Sequence, residues 1–162
     1  MALIEDVNNK LGQHAAKNDY WASAGVRVIR CKLPYGDYCV PPAVVVDTKR
    51  DVAELAMDVS SDHRRFRDAA IRARDHGSTM VILVENEEGY RCLDDLAAWE
   101  NPRAGVNRRK GMRPPIGGAR LAKACKSMRS RYGLQFAFCS PQEAGRAVIE
   151  ILRGEGAWLD RS

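Results

Sequence analysis

Leu33-Pro34-Tyr35-Gly36-Asp37-Tyr38 and, shortly after it, Val44-Val45-Val46-Asp47-Thr48-Lys49 decide how this chain is read. Val26 to Leu33 alternates apolar and polar residues as a half-buried strand does, and Ala43 to Val46 is a short apolar run suited to a buried strand. Pro41 and Pro42 punctuate the connection, so a turn or hairpin between these two strands is the economical expectation, and it brings Asp37 and Asp47 together. Side chains alternate faces along a strand. Asp47 and Lys49 are therefore expected to point one way and Thr48 the other.

Two carboxylates in one pocket repel each other unless a cation lies between them, and Mg²⁺ is the usual hard, oxygen-seeking ion. A neighbouring lysine can orient water or stabilise charge on a phosphate, so acids, metal and lysine together suit phosphodiester hydrolysis. The simpler alternative is that Asp37 is a turn residue after Gly36, while Asp47 and Lys49 finish an exposed strand end. Further along, Met80 to Val84 is a continuous apolar run, as in a strand buried on both faces, and Glu85 follows it. Glu85 is either a third acid near the site or the start of the polar loop Glu85-Asn-Glu-Glu-Gly89.

The 162 residues are expected to form a single domain with a core of its own, and no apolar run approaches the ~18 residues of a membrane span. An acidic start, Met-Ala-Leu-Ile-Glu-Asp, does not read as a signal peptide, so the expected location is cytoplasmic or nucleoid-associated rather than secreted. Five cysteines without a Cys-x-x-Cys pair read as reduced thiols. Charge is segregated. From Asn101 to Tyr132 there is no acidic residue, yet ten of the 26 basic residues lie there, which leaves 16 against all 21 acidic residues elsewhere. Such a basic block is the footprint of a polyanion partner, nucleic acid first. Within it, Arg108, Arg109, Lys110, Arg113, Arg120 and Lys123 are the candidate DNA contacts, and residues 101–118, rich in Gly, Pro and Arg, are expected to form a loop.

Helical spacing of Val52, Leu55, Ala56 and Val59 behind Asp51 predicts a capped helix, and Phe66, Ala69, Ala70 and Ala73 predict another, closed by Gly77. An amphipathic helix over Ala119 to Tyr132, a strand over Leu134 to Cys139 and a C-terminal helix to about Arg153 follow. Strands alternating with helices give an α/β fold, a mixed central sheet flanked by helices.

Gly36-Asp37-Tyr38, the apolar strand ending in Asp47-Thr48-Lys49, a helix, and Met80-Val-Ile-Leu-Val-Glu85 together resemble the XPF-type (excision-repair) nuclease domain of the PD-(D/E)xK superfamily. That family has Gly-Asp-Tyr/Phe, then Glu-Arg-Lys, then an apolar strand ending in Glu; here Asp-Thr-Lys replaces Glu-Arg-Lys. Leu3-Ile-Glu-Asp6 sits where the family has a first strand ending in Asp, His63-Arg-Arg-Phe66 near its Gly-Arg-Phe/Leu segment, and Arg131 to Pro141 where its last strand falls. The resemblance covers roughly residues 3 to 152. It implies a restriction-endonuclease-like architecture and a metal-dependent endonuclease acting on branched or partly single-stranded DNA. It also implies Mg²⁺ or Mn²⁺ held by Asp37, Asp47 and the Thr48 carbonyl, with Asp6 and Glu85 completing the acidic cluster, Lys49 as the catalytic lysine, and a homodimer. Tandem helix-hairpin-helix repeats, usual in the family, are not read in this sequence. A catalytically inactive DNA-binding or scaffold module of the same fold is the alternative.

Overall fold

The apolar run Met80 to Val84 becomes the spine of the molecule. The computed structural model describes residues 2–10, 12, 14–40 and 44–160, so the expected Pro41-Pro42 turn and Ala43 lie outside the described residues. Strand β5 (Thr79–Glu85) is buried on both faces. Met80, Ile82 and Val84 pack with α2 (Val52–Ser60), α3 (His63–Asp75) and α5 (Gly118–Tyr132). Val81 and Leu83 pack on the other side with Trp21 of α1 (Ala15–Ser23) and with α6 (Ala144–Leu152). A run with no polar position thus serves two cores, which is why it shows no alternation.

The six-stranded sheet has the order β2-β1-β3-β4-β5-β6, with β1 (Ala2–Asp6), β2 (Arg27–Cys31), β3 (Tyr38–Val40), β4 (Val44–Lys49) and β6 (Gln135–Cys139). β1 and β2 are parallel, as are β4, β5 and β6, while β3 runs antiparallel to both its neighbours β1 and β4. Every strand except β3 therefore points the same way. This is the mixed α/β sheet between helical layers that the sequence leads one to expect.

Two local expectations are corrected. The strand over Val26 to Leu33 does not pair with the one ending in Lys49. It is the exposed edge strand β2 beside β1, while the three-residue β3 takes the place next to β4, with Tyr38 opposite Val46 and Val40 opposite Val44. Arg27, Arg30 and an exposed Ile29 suit an edge, where charge discourages further pairing. The segment 101–118 is not wholly a loop either, since α4 (Arg103–Arg109) forms inside it without a buried residue. Side-chain amides fasten it: Asn101 Oδ1 accepts from the Arg103 N–H, and Asn107 Nδ2 donates to the Arg113 carbonyl. A helix held in this way has no apolar stripe to detect.

The five cysteines are free, with Cys125 and Cys139 buried. No helix among the described residues is long and apolar enough to cross a membrane.

Gly36 is the tightest point before the site. Its φ is +72°, and a Cβ there would lie 2.1 Å from Val45 Cγ1 and 3.3 Å from the Val46 carbonyl oxygen. Gly36→Ala is therefore expected to cost about 3 kcal/mol, from left-handed strain plus overpacking. Gly77, with φ +73° and nothing within 4 Å, carries only the first penalty, about 1 kcal/mol for Gly77→Ala. Urea unfolding of the two variants checks this, and equal losses would show that the Val45 contact relaxes freely.

Candidate active site

Strand β3 begins just after Asp37, and β4 ends in Asp47-Thr48-Lys49, so their antiparallel pairing, with Tyr38 opposite Val46, brings Asp37 and Asp47 into the wall of one cavity. The Asp37 N–H donates to the Val46 carbonyl at 2.9 Å. Asp37 Oδ2 accepts from the Thr48 N–H at 2.8 Å and from Thr48 Oγ1 at 3.0 Å. Peptide groups two residues apart on a strand point the same way, so the Thr48 carbonyl also faces the Asp37 side. Asp37 is thereby fixed by the neighbouring strand, with Oδ1 outside these bonds.

Lys49 is 6% exposed, and its Nζ lies 2.5 Å from Asp47 Oδ1 and 2.7 Å from Asp58 Oδ2. Asp58 comes from α2, whose start is fixed by Asp51 Oδ1 accepting from the Glu54 N–H at 2.7 Å. The Lys49 ammonium also sits 5.4 Å from the centre of the Phe66 ring on α3. Asp47 and Lys49 share a face, as alternation predicts. Asp58 is the residue that the sequence reading passed over. It follows Leu55 by three positions, so it stands in the inward stripe of α2, and an acid in an apolar stripe was the available signal.

Asp47 and Asp58 thus flank one buried ammonium whose charge Asp37 also feels, and Arg65 reaches the other oxygen of Asp58 at 3.6 Å. Burial pushes the Asp37 carboxyl up against the pull of the Thr48 hydrogen bonds and of Lys49. Burial, then the neighbouring Asp37 and Asp58, raise Asp47 to about 6 despite Lys49. Burial alone would lower Lys49, but Asp47 and Asp58 outweigh it and hold its pKa above the usual lysine range. Lys49 stays protonated at any working pH. With Asp37, Asp47 and Asp58 ionised against Lys49 and Arg65 the cluster carries one surplus negative charge, and Asp37 Oδ1 and Asp47 Oδ2 have no protein partner among the described residues. This donor set fits a hard divalent cation.

A cavity of about 220 Å³ opens here, lined by Asn9, His14, Asp37, Asp47, Lys49 and Asp58 among others. Asp6 and Glu85 are not in its lining. Both lie at the same sheet edge, but Asp6 is committed elsewhere: Oδ1 accepts from the Asn8 N–H at 2.7 Å and Oδ2 from the Leu33 N–H at 2.5 Å. Glu85 follows Leu83 on the face that carries Tyr38 and α6, opposite the Asp47–Lys49 face, and its carboxylate pairs with the buried Lys17 of α1. Neither has the position that the resemblance implies. His14, which no sequence pattern singles out, does line the cavity.

A second cavity, about 660 Å³, lies between α2 and residues 101–116 and shares Arg50 and Glu54 with the first. Arg103, Arg113, Met57 and Met112 line it. Arg108, Arg109, Lys110, Arg113, Arg120 and Lys123 are all exposed and in no ion pair among the described residues. Lys126 and Arg129 of the same basic block are instead tied to Asp94 at 2.6 Å and Asp160 at 2.5 Å.

No protein-family model and no curated protein matches the sequence. Solved structures do match: XPF from Aeropyrum pernix with a TM-score of 0.63 and 22% identity over 96% of this chain, and XPF from Aeropyrum pernix in complex with DNA with 0.64 and 23% over 94%. The chain spans 66% and 63% of those two chains, a little under two thirds. At this identity the likeness shows the fold: the chain folds as those two XPF structures do.

Asp47 gives this cluster a pH signature. Its ordinary pKa of 3.8 applies to the unfolded chain and about 6 to the folded one, so the unfolded chain ionises first as pH rises. The contribution to stability is therefore full at low pH and lost between about 4 and 6. In EDTA, Asp47→Asn is expected to flatten the stability profile across that window and to be neutral or stabilising, by on the order of 1 kcal/mol, at pH 7.5. A variant destabilised at pH 7.5 with an unchanged pH profile would contradict this.

Proposed function

We propose that this chain is a metal-dependent endonuclease that hydrolyses phosphodiester bonds in DNA, probing branched or partly single-stranded substrates. The observation that carries the reading is the pair of unpartnered oxygens on Asp37 and Asp47 beside an ammonium held protonated between two carboxylates. The XPF fold, the exposed basic residues, and a basic groove continuous with the cavity support it.

Asp37, Asp47 and the Thr48 carbonyl would hold Mg²⁺ or Mn²⁺; Asp6 would not, because backbone N–H groups occupy its carboxylate. Bound there, the ion supplies Lewis-acid polarisation of the phosphoryl oxygen and a more acidic water. Lys49 is not a general base, since it carries its proton throughout. Its N–H groups orient the attacking water and stabilise charge on the phosphoryl oxygens as the new P–O bond forms and the bond to the sugar oxygen breaks. The attacking water gives up its proton to solvent, and the sugar oxygen takes one from solvent. Asp58 keeps the ammonium aimed at the cavity, and Arg108, Arg109, Lys110, Arg113, Arg120 and Lys123 hold the phosphate backbone without reading sequence. Pairing with a second copy of the chain is proposed on the resemblance alone.

Asp47→Ala is expected to lose cation binding and cleavage while keeping DNA binding in EDTA. Lys49→Ala is expected to keep DNA binding and slow cleavage roughly 10²–10⁴-fold. Calorimetry with Mn²⁺ and cleavage of flaps, forks, junctions and linear duplexes check both; wild type that binds no cation and cuts none of them supports the inactive scaffold instead. With about 4 to 6 phosphates contacted, log K for duplex should fall against log salt with a slope of roughly −4 to −5. Neutralising Arg108, Arg109 and Lys110 together should flatten it by up to about 3, and an unchanged slope places the DNA elsewhere.

A further inference from the structure

His14 precedes α1 and forms part of the cavity wall together with Asp37, Asp47 and Lys49. Beneath it lies Lys17, 3% exposed, whose ammonium pairs with Glu85 behind the sheet and donates to His14 Nδ1 at 3.4 Å. An ammonium has no lone pair to offer, so this contact requires Nδ1 to be the acceptor. The ring proton is then on Nε2. Nε2 has no protein partner among the described residues. Burial, and then the charge of Lys17, hold the imidazole down to about 4, so at neutral pH it is an uncharged donor of fixed tautomer.

A neutral imidazole N–H beside a negatively charged cluster can face an anion without itself adding a proton to the reaction. We propose that His14 is a further substrate-contacting residue, its Nε2–H donating to a phosphoryl oxygen of the strand bound in the cavity, with Lys17 and Glu85 as positioning residues that fix its tautomer. The inference rests on the nuclease reading for the identity of the substrate, but the contact itself stands on the wall of the cavity. At ~30 Å³ per water the cavity holds about seven waters, room for a phosphodiester group and its hydration. The arrangement also gives Glu85 a purpose on its own face of the sheet: it neutralises the buried Lys17, and without it the ammonium that orients His14 would be unpaired.

The contact is read without turnover. Histidine ring ¹⁵N spectra of the full chain with Ca²⁺, a diamagnetic cation that offsets the carboxylates of the cavity wall, report tautomer and environment, the His14 signal being identified by its loss in His14→Gln. Titration with hexathymidylate is expected to shift His14 Nε2, while His76, whose ring lies 5.8 Å from that of Tyr35 rather than in the cavity wall, does not move. The ring should show the Nε2–H tautomer. Lys17→Met with Glu85→Gln, which removes both buried charges together, should release it to a mixture of tautomers. In single turnovers with Mn²⁺, His14→Ala should be roughly 10- to 100-fold slower with DNA affinity in EDTA unchanged, and His14→Gln, which keeps an N–H near the same place, should recover most of the rate. An unmoved His14 ring, or a wild-type rate for His14→Ala, overturns the proposal. If the ring shifts while no substrate is cut by wild type, the nuclease reading fails and the phosphate contact of His14 stands.

Discussion

A lysine ammonium taken out of water must be paired, and almost everything about this site follows from how Lys49 meets that requirement. An unpaired buried charge costs several kcal/mol, enough to unfold many domains. Strand β4 provides Asp47, helix α2 provides Asp58, and the Phe66 ring of α3 covers the remaining side. Sheet and helices are thereby locked to one another at the point where the chemistry is expected. Because two acids hold one base, the ammonium keeps its proton, and with Asp37 ionised as a third acid the cluster has one negative charge more than Lys49 and Arg65 offset. A divalent cation held there, as proposed, would relieve that surplus.

The sheet decides which acids can take part. All strands but β3 run in one direction, so the carboxyl ends of β1, β4 and β5 and the start of β3 reach the same edge. Asp6, Asp37, Asp47 and Glu85 are gathered there by topology alone. Parity then separates Glu85 from Asp47, while backbone N–H groups occupy Asp6. Asp47 is in register with Ile82 and Lys49 with Val84, so both share the face of α2 and α3, whereas Glu85 continues the series of Val81 and Leu83 on the face of α6. Two sides of one edge are thus used differently, the first for acids and a protonated lysine, the second for a Lys17–Glu85 pair that reaches the first through His14.

How much of this the sequence shows depends on the range of the interaction. The capped helix after Asp51, the apolar spine Met80 to Val84 and the shared face of Asp47 and Lys49 are local, and periodicity reveals them. The partner of β2 is not local: alternation over Val26 to Leu33 says that one face is covered but not by which strand. A three-residue β3 is too short to alternate visibly, and α4 has no apolar stripe. Asp58 was legible in principle, as an acid three residues after Leu55 on an inward face. Glu85 could be placed at an edge from sequence, but its face required the register of β4 against β5, which no single strand contains. His14 had no local sign; only the fold brings it to the cavity wall.

The central claim is that Asp37 and Asp47, and neither Asp6 nor Glu85, offer the oxygens that bind the catalytic cation. Anomalous diffraction from crystals soaked in Mn²⁺ reads this directly. The expected result is one strong peak beside the carboxylates of Asp37 and Asp47, the hard oxygen donors such an ion prefers. A peak on Asp6 or Glu85, or no peak near Asp47 at a Mn²⁺ concentration that supports DNA cleavage, would contradict it.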